Sequence, residues 1–337
     1  MPTNRQIRLA RRPTGLPTDD VWERTDSAVP ELVEGDVHVR VGYLSVDPAM
    51  RGWLNDVRSY VPPVGIGDVM RAIGVGRVVA SRHPGFAVGD HVQGMTGVQE
   101  HAVLHGDGLT PVDPEAAPLP THLGVLGISG FTAYFGLFDI GRPEPGQTVV
   151  VSGAAGSVGS VAGQLAKIHG CRVVGIAGGA EKCAWVVDEL GFDACIDYRS
   201  ADLRAELRRL CPDRVDVYFD NVGGPTLDAV LGRLARGARV VICGAVSQYN
   251  AEDGTRGPAN YLSLLVSRAR MEGFVVFDYA DRYGEAATVL AGRLREGRLR
   301  AREDVVTGGV DAFPDALLSL FRGGNTGKLV LEVSPPT

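Results

Sequence analysis

The stretch VVVSGAAGSVG, residues 149–159, decides how this chain is read. Val149, Val150 and Val151 form a continuous apolar run, the pattern of a strand covered on both faces of a parallel sheet. Ala154, Gly156 and Gly159 then stand at the three glycine places of a G-x-G-x-x-G fingerprint, with alanine in the first. That spacing serves three demands: a tight turn, a backbone that can approach a pyrophosphate closely, and a helix that packs hard on the preceding strand. A helix opening at this point aims its first backbone N–H groups at the phosphates. Alone the fingerprint is weak, and a glycine-rich turn that binds nothing is the alternative. Its context gives it weight, because it follows a strand, opens a helix and begins a run of strand–helix units.

Outward from that stretch the alternation is regular. Helical patterns at 158–169, 181–190, 201–210, 226–234 and 281–297 separate strand patterns at 171–178, 193–198, 215–223, 238–245 and 271–279. This order predicts a doubly wound parallel sheet of the Rossmann kind. Upstream, residues 30–110 are Val-rich runs broken by Gly, Pro and Asp, with Gly74, Gly76 and Gly89-Asp90 placed as turns and bulges of a small coiled barrel. Apolar residues take helical spacing over 122–138. The last thirty residues, with VVTGGVDAF and GKLVLEV, read as β structure returning to the first domain. The expected division is therefore 1–124, 125–310 for the nucleotide domain, and 311–337 for the return. A chain of 337 residues suits two domains of roughly 100–200 residues each.

The tip of the second strand of the nucleotide domain bears on which dinucleotide is taken. NAD readers carry Asp or Glu there for the ribose 2′-hydroxyl. This tip is Ala177-Gly178-Gly179-Ala180, without an acid, followed by Lys182 as a cation; Tyr198 ends the next strand as a hydrogen-bond donor. The set suits a 2′-phosphate. Glu181 is the contrary residue and is expected to face solvent. A solvated lysine in a first helical turn is the plainer reading of Lys182.

Other patterns exclude whole classes. A net charge of −6 leaves no basic face for nucleic acid. No apolar run reaches about 18 residues, so no membrane span is expected. The basic start MPTNRQIRLARRPTG lacks the apolar core of a secretory signal. Five cysteines (Cys171, Cys183, Cys195, Cys211, Cys243) match no disulfide framework and suit a reducing, cytoplasmic setting. None precedes residue 171, so His83, His91, His101 and His105 have no thiolate partners for zinc, and no metal site is expected. There is no G-x-S-x-G nucleophile elbow. Without a Lewis acid to activate an alcohol, reduction of an already electrophilic carbon is the easier chemistry.

With these residues in view, the chain resembles the zinc-free medium-chain dehydrogenases/reductases, in particular the leukotriene B4 dehydrogenase/prostaglandin reductase and alkenal double-bond reductase group. The likeness runs through SVDPAMRGW (45–53), GVGRVVAS (74–81), GISGFTAYFGL (127–137), residues 152–178, FDNVGG (219–224), ICGAVSQYN (242–250), RMEGFVV (270–276) and GGNTGKLV (323–330). It implies a GroES-like β-barrel catalytic domain, built from the N-terminal part and the C-terminal tail, beside the Rossmann domain. It implies NADPH as cofactor. The pyrophosphate loop falls on Gly156, Ser157, Val158 and Gly159, and the 2′-phosphate contacts on Lys182 and Tyr198. Asn221 matches a ribose or phosphate contact. Cys243, Gly244, Ala245 and Tyr249 lie beside the nicotinamide ribose. Phe274, Val275 and Val276 match a strand near the nicotinamide, and Asn325 a contact from the returning segment. Ala49 departs from the family's tyrosine in the DPYMRG block, which unsettles any transfer of substrate preference.

The implied reaction is hydride delivery to the β-carbon of an α,β-unsaturated aldehyde or ketone, a small-molecule substrate. Tyr249 and then Tyr60 are the candidate donors to the developing oxyanion; the alternatives are that Tyr249 only holds cofactor and Tyr60 only lines the cleft. Cys243 has no basic partner nearby in sequence and is read as structural. Quinone reduction on the same scaffold and a non-catalytic nucleotide-binding scaffold are the rival readings. The polar, turn-rich segment 248–260 is expected to be a mobile loop at the cleft. The family likeness implies a homodimer joined through sheet edges, with residues 271–279 at the edge.

Overall fold

The computed structural model describes residues 3–334. The chain opens with an antiparallel pair, β1 (Thr3–Leu9) and β2 (Trp22–Ala28). There follow β3 (Asp36–Ser45), helix α1 (Met50–Trp53), β4 (Gly74–Ser81), β5 (His91–Gly94), β6 (His101–His105), β7 (Thr110–Val112) and α2 (Leu119–Leu123). β3 pairs with both β4 and β6, and Val37, Val39 and Val41 are fully buried along it. Between β3 and β4 the register slips twice. At the second slip a side chain on Gly76 would overlap the backbone carbonyl of Arg40, which is why glycine stands there.

The parallel sheet follows. After α3 (Ile128–Phe135) come β8 (Thr148–Ser152), α4 (Ser157–Ile168), β9 (Arg172–Ala177), α5 (Ala180–Ala184), β10 (Ala194–Asp197), α6 (Leu203–Leu210), β11 (Val215–Asp220), α7 (Gly224–Leu231), β12 (Leu234–Ile242), α8 (Leu262–Ser267), β13 (Arg270–Gly273) and α9 (Tyr283–Arg295). The strands lie in the order β10-β9-β8-β11-β12-β13, every pair parallel. All five residues of β8 are buried, as its unbroken apolar run requires. The order reverses between β8 and β11, so the crevice beyond their carboxyl ends is the topological switch point where such sheets take ligands.

The chain ends with β14 (Glu303–Val306), α10 (Phe313–Phe321) and β15 (Lys328–Glu332). β15 pairs with β3 and β14, which completes a seven-stranded sheet with β4, β5, β6 and β7. The described residues form two compact units, one up to 124 and again from 303, the other 125–302.

Three expectations need correction. The return begins at Glu303 and not at 311, because β14 pairs with β15. The strand expected over 271–279 stops at Gly273; Phe274 and Val275 lead into a 3₁₀ turn over Val276–Arg282. The tail is not all β. Pro314 starts α10 where a proline needs no N–H, and Phe313, Ala316 and Leu317 turn one face into the core.

Helix α4 lies so close to its surroundings that a side chain at Gly163 would overlap the buried ring of Phe192. Gly163→Ala should therefore lower the stability of the protein by about 1–3 kcal/mol through overpacking. Phe192→Leu added to it should recover part of the loss, as read by chemical denaturation; equal losses in single and double variants would refute the packing account.

Candidate dinucleotide-binding site

The loop between β8 and α4 is organised around one carbonyl. The oxygen of Gly153 accepts a hydrogen bond from the Gly156 N–H at 2.9 Å, and the Ala154 N–H is tied to the Ile176 carbonyl of β9 at 3.1 Å. The left-handed backbone falls on Gly153, with φ of 61°, and not on Ala154, which is why alanine is tolerated in the fingerprint's first place. The glycines of the fingerprint then serve different ends. A β-carbon at residue 159 would collide with the Gly153 carbonyl, so Gly159 is required for packing. At residue 156 a β-carbon would press on the same oxygen at 3.2 Å, a far milder contact than at 159, so protein packing demands glycine much less there. Gly156 caps α4 in an extended conformation without any side-chain cap, and Ser157 and Val158 are partly exposed. The first-turn N–H groups of an uncapped helix are a ready anion site. The loop thus fits a pyrophosphate.

At the tip of β9, Gly179 takes φ of 100°, and Gly178 lies where a β-carbon would stand 3.0 to 3.1 Å from Tyr198 and 3.0 Å from Arg199 Nε. Tyr198 is half exposed, Glu181 is exposed and Lys182 partly buried. The nearby acid, Asp197, is committed elsewhere. Its carboxylate accepts from the N–H groups of Gly179 at 2.8 Å and Arg199 at 3.0 Å and from Ser200 Oγ at 2.9 Å, bonds that hold its pKa below the usual carboxylate range. The tip therefore presents Tyr198 and Arg199 close together, with Lys182 on the following helix and no acidic side chain from β9 itself. Arg199 was not singled out from sequence, although its place beside Tyr198 at the end of a strand was the available signal.

The other wall is set by Asp220, a second residue the sequence reading passed over. It is 1% exposed. Its Oδ1 accepts from Ser152 Oγ (2.9 Å), Tyr218 Oη (2.7 Å) and the N–H groups of Val222 and Gly223 (both 3.0 Å). Its backbone carbonyl accepts from Cys243 and Gly244. The carboxylate thus ties the end of β8 to that of β11, and the backbone carbonyl of the same residue adds the end of β12. Asn221 is fixed by Ser152: its Nδ2 donates to the Ser152 carbonyl at 2.7 Å and its backbone N–H to Ser152 Oγ at 3.0 Å. Burial first, and then the charge of Asp220, push the Cys243 thiol up to about 12, so it stays a neutral thiol. Beyond it, the Ala245 N–H donates to Tyr249 Oη at 3.1 Å.

Of the predicted residues, Gly156, Tyr198, Asn221 and Cys243 to Tyr249 follow strand ends of one sheet, Ser157 to Gly159 form the first turn of α4, and Lys182 lies in α5. Phe274 packs toward Gly136, and Val276 is buried with its carbonyl bound by Tyr283 Oη. Asn325 and Tyr60 belong to the other unit. Asn325 Nδ2 donates to the Gly327 carbonyl at 2.8 Å, and Tyr60 Oη accepts from the Trp53 indole at 3.2 Å. Among the described residues no cluster of His, Cys, Asp and Glu could hold a metal, and all five cysteines are free. No helix among them is long and apolar enough to cross a membrane.

A doubly wound sheet with an anion-binding loop at its switch point defines a dinucleotide-dependent oxidoreductase fold, and comparison with known proteins makes this specific. Residues 5–112 match the family model described as N-terminal domain of oxidoreductase, and residues 157–291 the model described as zinc-binding dehydrogenase. The chain is 42% identical to an NADPH-dependent curcumin reductase of Escherichia coli, over 98% of this chain and 97% of that one. It is 40% identical to an NADP(+)-dependent 2-alkenal reductase of Nicotiana tabacum, over 98% of each. The crystal structure of CurA from Vibrio vulnificus in complex with NADPH superposes with a TM-score of 0.94 at 44% identity, over 98% of this chain and all of that one. The chain belongs to the medium-chain dehydrogenase/reductase family.

The two loop glycines can be separated by experiment. Gly156→Ala should cost the cofactor-free protein much less stability than Gly159→Ala while weakening dinucleotide binding by about tenfold or more, since its methyl group would stand where a pyrophosphate is expected to approach. Gly159→Ala should lower stability itself by about 1–3 kcal/mol. Equal effects of the two on melting temperature would contradict the division of labour.

Proposed function

We propose that this protein reduces the C=C bond of α,β-unsaturated aldehydes or ketones with NADPH, and that it does so without a metal. Full-length kinship with an alkenal reductase and a curcumin reductase carries the substrate class. The acid-free tip of β9, flanked by Tyr198, Arg199 and Lys182, supports NADPH over NADH. Lys182, Tyr198 and Arg199 would meet the 2′-phosphate, the loop 156–159 the pyrophosphate, and Asn221 and the 243–249 segment the nicotinamide half; Phe274, Val275, Val276 and Asn325 complete the proposed contacts.

Bound NADPH supplies hydride to the β-carbon of the substrate. The charge that develops on the carbonyl oxygen needs a hydrogen-bond donor placed where it appears. Tyr249 suits this task, because the Ala245 N–H occupies an acceptor position of its oxygen and leaves the phenolic hydrogen out of that bond. Tyr60 is held in the same sense by Trp53. NADPH oxidation in the presence of enones or enals, without added metal, should exceed NADH oxidation by at least about tenfold. Tyr249→Phe should lower turnover by about 10²–10³. Turnover of quinones alone would move the chain to quinone reduction, and equal use of NADH would refute the reading of the β9 tip.

The reading extends to a cytoplasmic homodimer. The free cysteines suit a reducing compartment. β13 is an edge strand whose four residues are all exposed, and α8 beside it exposes Leu262, Leu265 and Val266, Leu265 by 75%. An open edge joined to an apolar patch invites a second copy. Light scattering should give twice the chain mass, and Leu265→Glu together with Val266→Lys should give the monomer; a monomeric wild-type protein would refute the dimer.

A further inference from the structure

The segment that carries Tyr60 has no helix or strand from Leu54 to Ile73, and its residues 56–60 are exposed, Tyr60 by 52%. It is nevertheless fastened to α1 at several points. The Val64 N–H donates to the Trp53 carbonyl at 2.8 Å. Arg12 Nη1 donates to the carbonyls of Leu54 at 2.8 Å and Val64 at 2.7 Å. Arg71 Nη1 donates to the Pro62 carbonyl at 2.8 Å, and its guanidinium carbon lies 5.6 Å from the centre of the Trp53 ring. Trp53 itself is buried in the same apolar cluster as Met50, Leu54 and Val64, and its Nε1 donates to Tyr60 Oη at 3.2 Å.

We infer that Trp53, with Arg71 against its ring, is a positioning pair that fixes Tyr60 as a hydrogen-bond donor. An indole N–H can only donate. Bound to the phenolic oxygen, it takes an acceptor position and sends the Tyr60 hydrogen in another direction. A donated bond also polarises the hydroxyl and strengthens its own donation. The guanidinium is attracted to the ring face, while its N–H holds the carbonyl two residues beyond Tyr60. One buried side chain, set in the core, thereby orients a tyrosine on an otherwise irregular loop. The inference rests on the proposed role of Tyr60 toward the substrate oxyanion.

The test is a double-mutant cycle on Trp53→Phe and Tyr60→Phe, read by enone kinetics, NADPH binding and indole NMR. Phenylalanine keeps much of the buried aromatic surface while removing the indole N–H and part of the ring, a packing loss common to both backgrounds of the cycle. Trp53→Phe should lower kcat about three- to tenfold, the range for one lost hydrogen bond, with the NADPH dissociation constant within about twofold of wild type. In the Tyr60→Phe background the same change should cost less than about twofold. The chain holds three tryptophans, so the indole signal lost in Trp53→Phe identifies Trp53. That signal should move upfield and exchange faster in Tyr60→Phe, whatever the substrate. Arg71→Gln should lower kcat in the wild-type background and not in Trp53→Phe. Additive losses in the cycle, an unchanged kcat in Trp53→Phe, or an indole signal indifferent to Tyr60→Phe would overturn the inference while leaving enone reduction intact. Absence of enone turnover in the wild-type protein, with the indole signal still coupled to Tyr60, would overturn the substrate class and leave the pair standing.

Discussion

The carbonyl of Gly153 is the constraint on which the nucleotide unit turns. It accepts the Gly156 N–H, and it lies so near residue 159 that no side chain is possible there. Because α4 begins this close to β8, its first turn faces the switch point of the sheet and its buried face runs on through Gly163 against Phe192. A bulkier loop would push the helix outward and withdraw the N–H groups that an anion needs. Packing and anion binding are thus imposed by one close approach, and the two glycines divide the work between them.

Around this loop the chain places its charges with economy. Asp220 is buried, yet four donors converge on one of its oxygens, and its backbone carbonyl takes two more N–H groups from the start of the 243–249 segment. That oxygen, Oδ1, acts as a rivet between strand ends, while Oδ2 is buried without a hydrogen-bond partner among the described residues. Asp197 acts likewise beside the tip of β9, binding the backbone N–H of Gly179 after that strand and of Arg199 after β10. The result is a β9 tip from which negative charge has been drawn into structure while Tyr198 and Arg199 stand beside Gly178. The discrimination proposed between NADPH and NADH follows from that distribution rather than from any single cation.

The sequence was most legible where backbone geometry dictates residue type. The βα alternation and the glycine loop follow from steric rules, and both are found where the pattern placed them, with the left-handed turn residue at Gly153. The fold failed to be read where apolar runs are short. Residues 274–276 have the composition of a strand but are drawn into a turn by their packing toward Gly136 and Tyr283, and FPDALLSLF was hidden as a helix by the β pattern on either side of it. Asp220 is illegible for a different reason: nothing in local spacing distinguishes an aspartate that gathers four donors from one that meets solvent. Its role depends on contacts across strands, which only the folded chain displays.

The central claim is conjugate reduction, and the fate of the hydride tests it most directly. NADPH carrying deuterium at the transferring C4 position would be supplied with an unsaturated ketone, and the product analysed by NMR and mass spectrometry. The account predicts a saturated ketone with one deuterium on the former β-carbon. An allylic alcohol with deuterium on the former carbonyl carbon would contradict it.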